Sequence, residues 1–521
     1  MPADVSPSGD NMNLDFDLQR FRRLLELSSE QVLSLYGSLG ERKVTHASSP
    51  QLIADRFSGP LPAEGREPEE LLARDIPFIF GHSTLNISPR FFAYVMSGGS
   101  QVGILAELLG AALNVNHAKW HLASAAAEIE RAVIRWLSEF IGYRADAGGA
   151  LVSGGSEANL YCLRVARDEK APGVREDGCR SARPLTLYAS TETHSCITKS
   201  VEMLGIGSRH LRKVPVDSRF RVDVRKLEEH ITQDLKAGLQ PFCIIGNAGT
   251  VNSGAVDDLD TLADVASRYG LWFHVDGAYG AAAAAVDPTS EMFRGLERAD
   301  SVALDPHKWL QVPFEAGCAL VRDWASIRRS FSYAAPYLRA KSDSAEKWDW
   351  MGHTFQLSRG FRALKVWMQF QVYGSRKLKA VIEENVLLMR RLGAEIDRAH
   401  DFERMAPVPL SIVCFRYVPA HGPALTDDEL DRLNDRLLEE CERRGEFFLT
   451  GTKLNGRTAL RACLINHRTT EAETLGLLAH LRTLGEELTG APGPWACPGY
   501  VDSRVKMPTP AVRPQAQNPL D

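Results

Sequence analysis

The sequence lacks the features that mark several broad classes of protein. Its nine cysteines are scattered and form no Cys-x-x-Cys pair, which suits reduced thiols in a cytoplasm better than a disulfide framework. It contains no block of lysine and arginine, so a nucleic acid is not an expected partner. No apolar run is as long as a membrane span, and MPADVSPSGD lacks the order of a signal peptide. We therefore predict a cytoplasmic protein that binds neither nucleic acid nor membrane.

The composition is that of an ordinary globular protein. The chain has 521 residues, of which 44% are hydrophobic and 24% charged, and its formal net charge is −5. This length allows two or three structural units with large cores. We expect four parts: a helical and loop-rich segment over 1–90 that contacts a second subunit, a large domain over 91–373, a smaller α/β domain over 374–490, and a proline-rich, disordered tail over 491–521.

Short apolar segments alternate with amphipathic ones between about residues 148 and 323. Residues 150–152, 184–189, 242–245, 271–275 and 302–304 have the character of buried strands, and helical patterns separate them. This alternation predicts an α/β fold with a mainly parallel sheet that is covered on both faces. Ligands of such sheets bind beyond the carboxyl ends of the strands.

The segment 301–310, SVALDPHKWL, places Lys308 just after one of these strands. The lysine follows an apolar run and a histidine precedes it. Because desolvation disfavours the ammonium form, we expect Lys308 to lose its proton near neutral pH. A neutral amine attacks an aldehyde to make a Schiff base. We predict that Lys308 carries pyridoxal phosphate (PLP) in this way, as an internal aldimine.

Three other stretches hold groups that suit this cofactor. In VSGGSEANL, Gly154 and Gly155 allow close approach of the backbone, and Ser156 is expected to cap the next helix, which makes a phosphate site. In HVDGAYG, Asp276 ends a buried strand and needs a cationic partner, such as a protonated pyridine nitrogen. In TETHSC, His194 is placed to stack on the ring. A tight turn, a capping acid and a histidine at a helix start are the structural alternatives, and the combination at successive strand ends favours the cofactor.

Two histidines have a spacing that can hold a metal on one face of a helix. His117 and His121 lie four residues apart in NVNHAKWHL. No carboxylate or third ligand is evident beside them, and a polar, partly buried turn is the alternative. We therefore predict no metal site.

Together these stretches resemble the group II PLP-dependent amino-acid decarboxylases, the family of aromatic-L-amino-acid and glutamate decarboxylases. The matching segments are FFAYV, SGGSEANL, the THS turn, NAGTVNSGAVDDL, HVDGAYG, DPHKWL, PYL and SRGFRALKVW, and the similarity extends from about residue 14 to 490. The resemblance implies the fold-type-I, aspartate-aminotransferase-like fold, PLP as the cofactor and an amino acid as the substrate. It also implies a homodimer, because the pockets of this family form between subunits.

The resemblance implies a role for each matching position. Lys308 would form the aldimine, Asp276 would face the pyridine nitrogen and His194 would stack on the ring. Asn247 falls where many relatives have threonine. Asp305 replaces the asparagine of the animal aromatic enzymes, although aspartate also occurs in the family. The positions expected to contact the cofactor are Gly155, Ser156, His194, Asn247, Asp276, Ala278, Asp305, His307 and Lys308.

The implied reaction is the decarboxylation of an L-amino acid, with an aromatic one favoured, to the amine and CO₂. The resemblance makes Tyr337, on a mobile loop, the donor that protonates the quinonoid intermediate, and a packing aromatic is the alternative for this residue. Asn116 and Ala118 replace bulkier apolar residues of the aromatic enzymes, which makes the pocket roomier or more polar. The positions that match the family's substrate pocket are Tyr94, Val95, Asn116, Ala118, Trp120 and Ser358.

Three other functions stay open. An oxygen-using aldehyde synthase and an aminotransferase would use the same scaffold. A phenylalanine at position 337 would favour the synthase, so Tyr337 argues against it. A non-catalytic relative that serves as a binding partner is the third, and the retention of Lys308, Asp276 and His194 argues against it.

Overall fold

The computed structural model describes residues 14–180, 183–333 and 348–490. Its first segment holds four helices, α1 (Leu18–Gly37), α2 (Pro50–Phe57), α3 (Pro68–Glu70) and α4 (Ile76–Gly81). Helix α1 begins at Leu18 because the Asp17 side chain caps it, accepting from the backbone N–H groups of Gln19 at 3.0 Å and Arg20 at 2.9 Å. Only Leu24 of α1 is buried, and Leu18 and Leu33 are 84% and 70% exposed. Most of the apolar stripe of α1 is therefore left uncovered by the described part of this chain.

Twelve strands of the described residues form two sheets. They are β1 (Phe91–Phe92), β2 (Gly148–Val152), β3 (Leu185–Ser190), β4 (Leu211–Val214), β5 (Gln240–Asn247), β6 (Trp272–Asp276), β7 (Ser301–Leu304), β8 (Gly317–Val321), β9 (Phe402–Arg404), β10 (Ile412–Tyr417), β11 (Phe448–Leu454) and β12 (Arg457–Cys463).

The larger sheet has seven strands in the order β2-β8-β7-β6-β5-β3-β4. Strand β8 is antiparallel to both of its neighbours, and the other six strands run in one direction. Strands β2, β3, β6, β7 and β8 are buried along their whole length, so they carry apolar residues on both faces. The predicted α/β fold with a mainly parallel sheet is confirmed.

Nine α-helices lie before, between and after the strands of this sheet in the chain. They are α5 (Gln101–Leu113), α6 (Ser124–Phe140), α7 (Gly155–Lys170), α8 (Val174–Asp177), α9 (Ser195–Met203), α10 (Val224–Lys236), α11 (Leu259–Tyr269), α12 (Asp287–Ser290) and α13 (Trp324–Phe331) within the described ranges. None of the helices in those ranges combines the length and the apolar character that crossing a membrane requires.

The smaller sheet has the order β1-β11-β12-β10-β9 and packs with α14 (Ala363–Arg398), α15 (Asp427–Arg444) and α16 (Glu471–Gly490). The apolar spacing predicts two helices, over 361–373 and 376–392, and the element α14 contains both of them. Gly374 adopts a positive φ of 68° inside it, so α14 consists of two helical stretches that meet at a kink.

The first strand joins the two parts of the chain. Phe91 and Phe92 in β1 pair in parallel with Phe448 and Leu449 in β11, so a strand at the start of the predicted large domain completes the sheet of the smaller one. The division at 91, 374 and 491 remains a proposal, and the predicted tail over 491–521 lies outside the described residues.

Candidate active site

A cleft of about 1590 Å³ lies beyond the carboxyl ends of strands β2, β3, β5, β6 and β7. These strands are parallel to one another, so their carboxyl ends meet at one edge of the sheet. Every residue that the sequence predicts for cofactor contact lines this cleft: Gly155, Ser156, His194, Asn247, Asp276, Ala278, Asp305, His307 and Lys308.

Lys308 is held against an acid from its own turn. Its side chain is 21% exposed, and Nζ lies 3.1 Å from Asp305 Oδ2. Burial by itself lowers the pKa of Lys308, but the charges of Asp305 and Asp276 outweigh it, and the pKa is raised above the usual value of a lysine. The prediction of a neutral amine near pH 7 is therefore wrong for this arrangement, because it considered desolvation without the acid.

Asp276 is the last residue of β6, where the pattern HVDGAYG predicts it. It stands in register with Asn247 of β5 and Ala303 of β7. The residue is 8% exposed, and its Oδ1 accepts from the backbone N–H of Ala278 at 3.3 Å. A carboxylate that is buried at the edge of a cleft is suited to a cationic ligand group.

The turn between β2 and α7 has no side-chain cap. Gly154 is the N-cap residue and Ser156 lies in the first helical turn, so the prediction that Ser156 caps the helix is wrong. Glu157 instead accepts from the N–H and hydroxyl of Ser153 at 2.9 and 2.7 Å. The first N–H groups of α7 have no partner within the helix, and they suit an anion.

Gly155 is required for close packing at this turn. A Cβ at this position would lie 2.8 Å from the Ala278 Cβ and 2.8 Å from Asp305 Oδ2. The turn, Ala278 and the acid beside Lys308 therefore contact one another closely.

His194 caps helix α9 as well as lining the cleft. Its Nδ1 accepts from the backbone N–H of Cys196 at 3.2 Å. Burial together with the charge of Lys308 lowers the pKa of His194, which favours an uncharged ring at neutral pH. His194 therefore lies at a helix start, which was the structural alternative for this residue. Its ring also lines the cleft.

Asn247 and His307 both bond to the protein around them. The Asn247 Nδ2 donates to Asp257 Oδ2 at 3.0 Å and to Thr193 Oγ1 at 3.1 Å, so this amide fixes the residue that precedes His194. His307 Nδ1 accepts from the backbone N–H of Ala316 at 3.2 Å. Burial lowers the pKa of His307.

The residues predicted for the substrate pocket fall into two groups. Tyr94 and Val95 line the cleft. The other four, Asn116, Ala118, Trp120 and Ser358, do not line it, and they lie on two segments that touch each other, since Asn116 Oδ1 accepts from the N–H of the residue after Ser358 at 3.1 Å. Tyr337 lies outside the described residues, so its predicted role stays a prediction.

Sequence reasoning missed an arginine in the cleft wall. Arg461 in β12 is 3% exposed, and it donates from Nε to the Val251 carbonyl at 2.8 Å and from NH1 to the Tyr94 carbonyl at 3.2 Å. Its NH2 is buried and has no hydrogen-bond partner among the described residues. A charged residue inside the apolar strand ALRACL was the signal that marked it.

The histidine pair at 117 and 121 is not part of a metal cluster in the described ranges, which hold no group of three or more histidine, cysteine or acidic ligands. His117 is 1% exposed, and its Nε2 lies 2.6 Å from Glu130 Oε2. The sequence did not predict this partner, which is thirteen residues away.

The residues in the cleft fit pyridoxal phosphate. The amine of Lys308 suits the aldehyde of the cofactor, and the carboxylate of Asp276 suits its ring nitrogen. The uncapped start of α7 suits its phosphate. Asp305 Oδ1 is buried and has no hydrogen-bond partner among the described residues. A donor on a bound ligand would satisfy it.

Comparison with known proteins agrees with this chemistry. Residues 64–418 match the pyridoxal-dependent decarboxylase conserved domain. The chain is 33% identical to an aromatic-L-amino-acid decarboxylase of Bacillus atrophaeus over 92% of its length and 98% of that protein. It is also 33% identical to a phenylacetaldehyde synthase of Arabidopsis thaliana over 74% of its length and 79% of that protein.

A solved structure of the Oryza sativa TDC with PLP and tryptamine has the same fold. Its TM-score with this chain is 0.86 at 27% identity, and the match covers 92% of this chain and all of that one. These findings confirm the family resemblance, the enzyme class and the cofactor that the sequence predicts.

Asp305→Asn tests why the pKa of Lys308 is raised. The amide keeps the size of the side chain and removes the negative charge 3.1 Å from Nζ, so the pKa of Lys308 should fall. Because only the deprotonated amine reacts with an aldehyde, the pH for half-maximal rate of PLP uptake by the apoprotein should fall by about one unit or more. Stopped-flow absorbance across a pH series measures this rate.

The control for this experiment is Asp323→Asn, a change at the exposed N-cap of α13, which should leave the pH profile in place. An unchanged profile in Asp305→Asn would contradict the role assigned to Asp305.

Proposed function

Because the chain belongs to the pyridoxal-dependent decarboxylase family, we propose that it converts an aromatic L-amino acid to the corresponding amine and CO₂. The observation that carries this proposal is the meeting of Lys308, Asp276 and the Gly154–Ser156 turn in one cleft. When bound, pyridoxal phosphate supplies an electron sink for the electron pair that remains at Cα as CO₂ leaves. Side chains of this protein would bind the cofactor and hold the reacting groups in place.

Three groups would hold the cofactor. Lys308 would bind its aldehyde, Asp276 would keep its ring nitrogen protonated, and the first N–H groups of α7 with Ser156 would bind its phosphate. His194 would lie against the ring, and Ala278, whose side chain is small, would allow the ring to approach from the other side. The tight contacts of Gly155 leave no room for a side chain at this position.

Asp305 would hold the amine of Lys308. At 3.1 Å from Nζ its carboxylate stabilises the ammonium form, which must lose its proton before the nitrogen lone pair is free to react.

An aromatic substrate is supported by the cleft wall and by the relatives. Tyr94 and Phe448 make an edge contact with ring centroids 6.0 Å apart, and both line the cleft with Val95. Apolar and aromatic surface of this kind suits an aromatic side chain. The Bacillus atrophaeus protein, which the chain matches over most of its length, carries the name aromatic-L-amino-acid decarboxylase.

The proposed active unit is a homodimer in the cytoplasm. Four leucines of α5, Leu105, Leu108, Leu109 and Leu113, are 52–58% exposed and precede the segment that holds Asn116, Ala118 and Trp120. An apolar helix face of this size is typical of a subunit interface, and such an interface would bring those residues to a second copy's cleft.

The eight cysteines within the described ranges are free thiols, which suits a reducing compartment.

An aldehyde synthase is the second candidate, and the similarity to the Arabidopsis thaliana phenylacetaldehyde synthase favours it. The two reactions differ in the step after CO₂ loss: a proton at Cα gives the amine, and reaction with oxygen gives the aldehyde. Tyr337 as the proton donor favours the amine.

The purified enzyme should release CO₂ from aromatic L-amino acids and form the matching amines. Tyrosine, tryptophan, phenylalanine and dopa are compared with glutamate, aspartate and ornithine in a radiometric CO₂ assay, and chromatography identifies the products. Lys308→Ala should lose essentially all turnover and serves as the background control. Release from glutamate alone, or a keto acid as the product, would contradict the proposal.

Tyr337→Phe should divert the product from amine to aldehyde, because the variant keeps the ring and removes the proton donor. The measurement is the ratio of amine to aldehyde, with hydrogen peroxide measured in parallel. Tyr333→Phe, an exposed tyrosine four residues earlier, is the matched control and should keep the amine. If Tyr337→Phe still yields only the amine, another group donates the proton.

A further inference from the structure

A buried ion pair lies outside the cleft, between helix α6 and the segment before α14. Glu130 and Arg359 are 0% and 2% exposed. The guanidinium binds the carboxylate through two bonds, NH2 to Oε1 at 2.7 Å and NH1 to Oε2 at 3.1 Å. His117 Nε2 lies 2.6 Å from the same Oε2 and 3.0 Å from Arg359 NH1, so it belongs to the same buried cluster.

The pair also binds the backbone of one strand residue. The Leu151 N–H donates to Glu130 Oε1 at 2.9 Å, and the Leu151 carbonyl accepts from Arg359 NH2 at 2.9 Å. Leu151 belongs to β2, which is the edge strand of the large sheet and pairs only with β8 among the described strands. The ion pair therefore satisfies two buried backbone groups that a further strand would otherwise pair.

The carboxylate of Glu130 is charged at neutral pH. Burial raises the pKa of Glu130, but Arg359 and His117 outweigh it and lower that pKa to about 2. A buried pair of this kind is costly to break on one side, because the remaining charge has no counter-ion.

The strand that the pair holds leads directly into the Gly154–Ser156 turn. Gly154 follows Leu151 by three residues, and its backbone packs so closely on β8 that a Cβ on Gly317 would lie 2.5 Å from the Gly154 Cα. With Gly155 in similar contact with Ala278 and Asp305, the turn has almost no freedom of its own. Because Ser153 alone separates the end of β2 from this turn, a shift of β2 would press the turn against those neighbours.

We propose that Glu130 and Arg359 are positioning residues which, by fixing Leu151, hold the Gly154–Ser156 turn in place to bind the phosphate of the cofactor. This inference rests on the proposed function, in which that turn binds the phosphate. Neither side chain lines the cleft, so both act through the backbone of β2.

The test compares two aldehydes that differ only in the phosphate. The apoprotein is titrated with pyridoxal phosphate and with pyridoxal, and the dissociation constants are read from absorbance. In Glu130→Gln, affinity for pyridoxal phosphate should fall about tenfold, the equivalent of one lost charged hydrogen bond. Affinity for pyridoxal should stay the same, because the amine and the ring contacts are unchanged.

The matched control is Asp234→Asn at the opposite edge of the same sheet. Asp234 is 6% exposed and binds Arg212 of β4 at 2.8 Å, so the change also breaks a largely buried ion pair at an edge strand. It should leave both dissociation constants unchanged. Thermal unfolding of the variants separates general loss of stability from loss at the turn.

Several results would overturn the positioning role. Equal loss of affinity for the two aldehydes, no loss for either, or the same selective loss in Asp234→Asn would each do so. If Glu130→Gln does not fold, Arg359→Lys, which keeps the charge and loses the two-pronged contact, is titrated instead. Failure of both variants to fold would show that the pair serves the fold and not the turn. Wild-type protein that binds pyridoxal as tightly as pyridoxal phosphate would instead contradict the phosphate site of the proposed function.

Discussion

The contact between Lys308 and Asp305 is the constraint on which the candidate site depends. A lysine that is largely buried beside apolar strands is stable there because an acid 3.1 Å away compensates its charge. The same acid raises the pKa of the amine, so the ammonium form of Lys308 is favoured in this arrangement. The short turn after β7 produces this arrangement, since the two residues are three apart.

The parallel sheet explains how residues that are far apart in the chain serve one cleft. Gly155, His194, Asn247, Asp276 and Lys308 each follow or end a different strand, and the common direction of those strands brings them to one edge. The smaller sheet closes the cleft from the other side through Arg461, which donates to the backbone of Tyr94 and Val251. The site therefore depends on both sheets and on the first strand, which pairs with β11.

Local features of the site were accessible to prediction from the sequence, and long-range ones were not. Lys308, Asp276 and the turn at Gly154 follow from apolar strands that end in polar or glycine-rich residues. The protonation of Lys308 was predicted wrongly because the pattern of apolar residues does not reveal the turn geometry that brings Asp305 to Nζ. The Glu130–Arg359 pair joins residues 229 positions apart, and a single sequence carries no signal that connects them. The four pocket residues outside the cleft match family positions. Such a match does not reveal whether a residue lines the cleft of its own chain or that of a second copy.

The central claim is that one lysine binds the aldehyde of the cofactor. Borohydride reduction of the PLP-loaded protein fixes the bond, and peptide mass spectrometry then locates the added mass. The account predicts that the label lies on the peptide containing Lys308 and that Lys308→Ala carries none. A label on another lysine, or protein that takes up no label after loading, would contradict it.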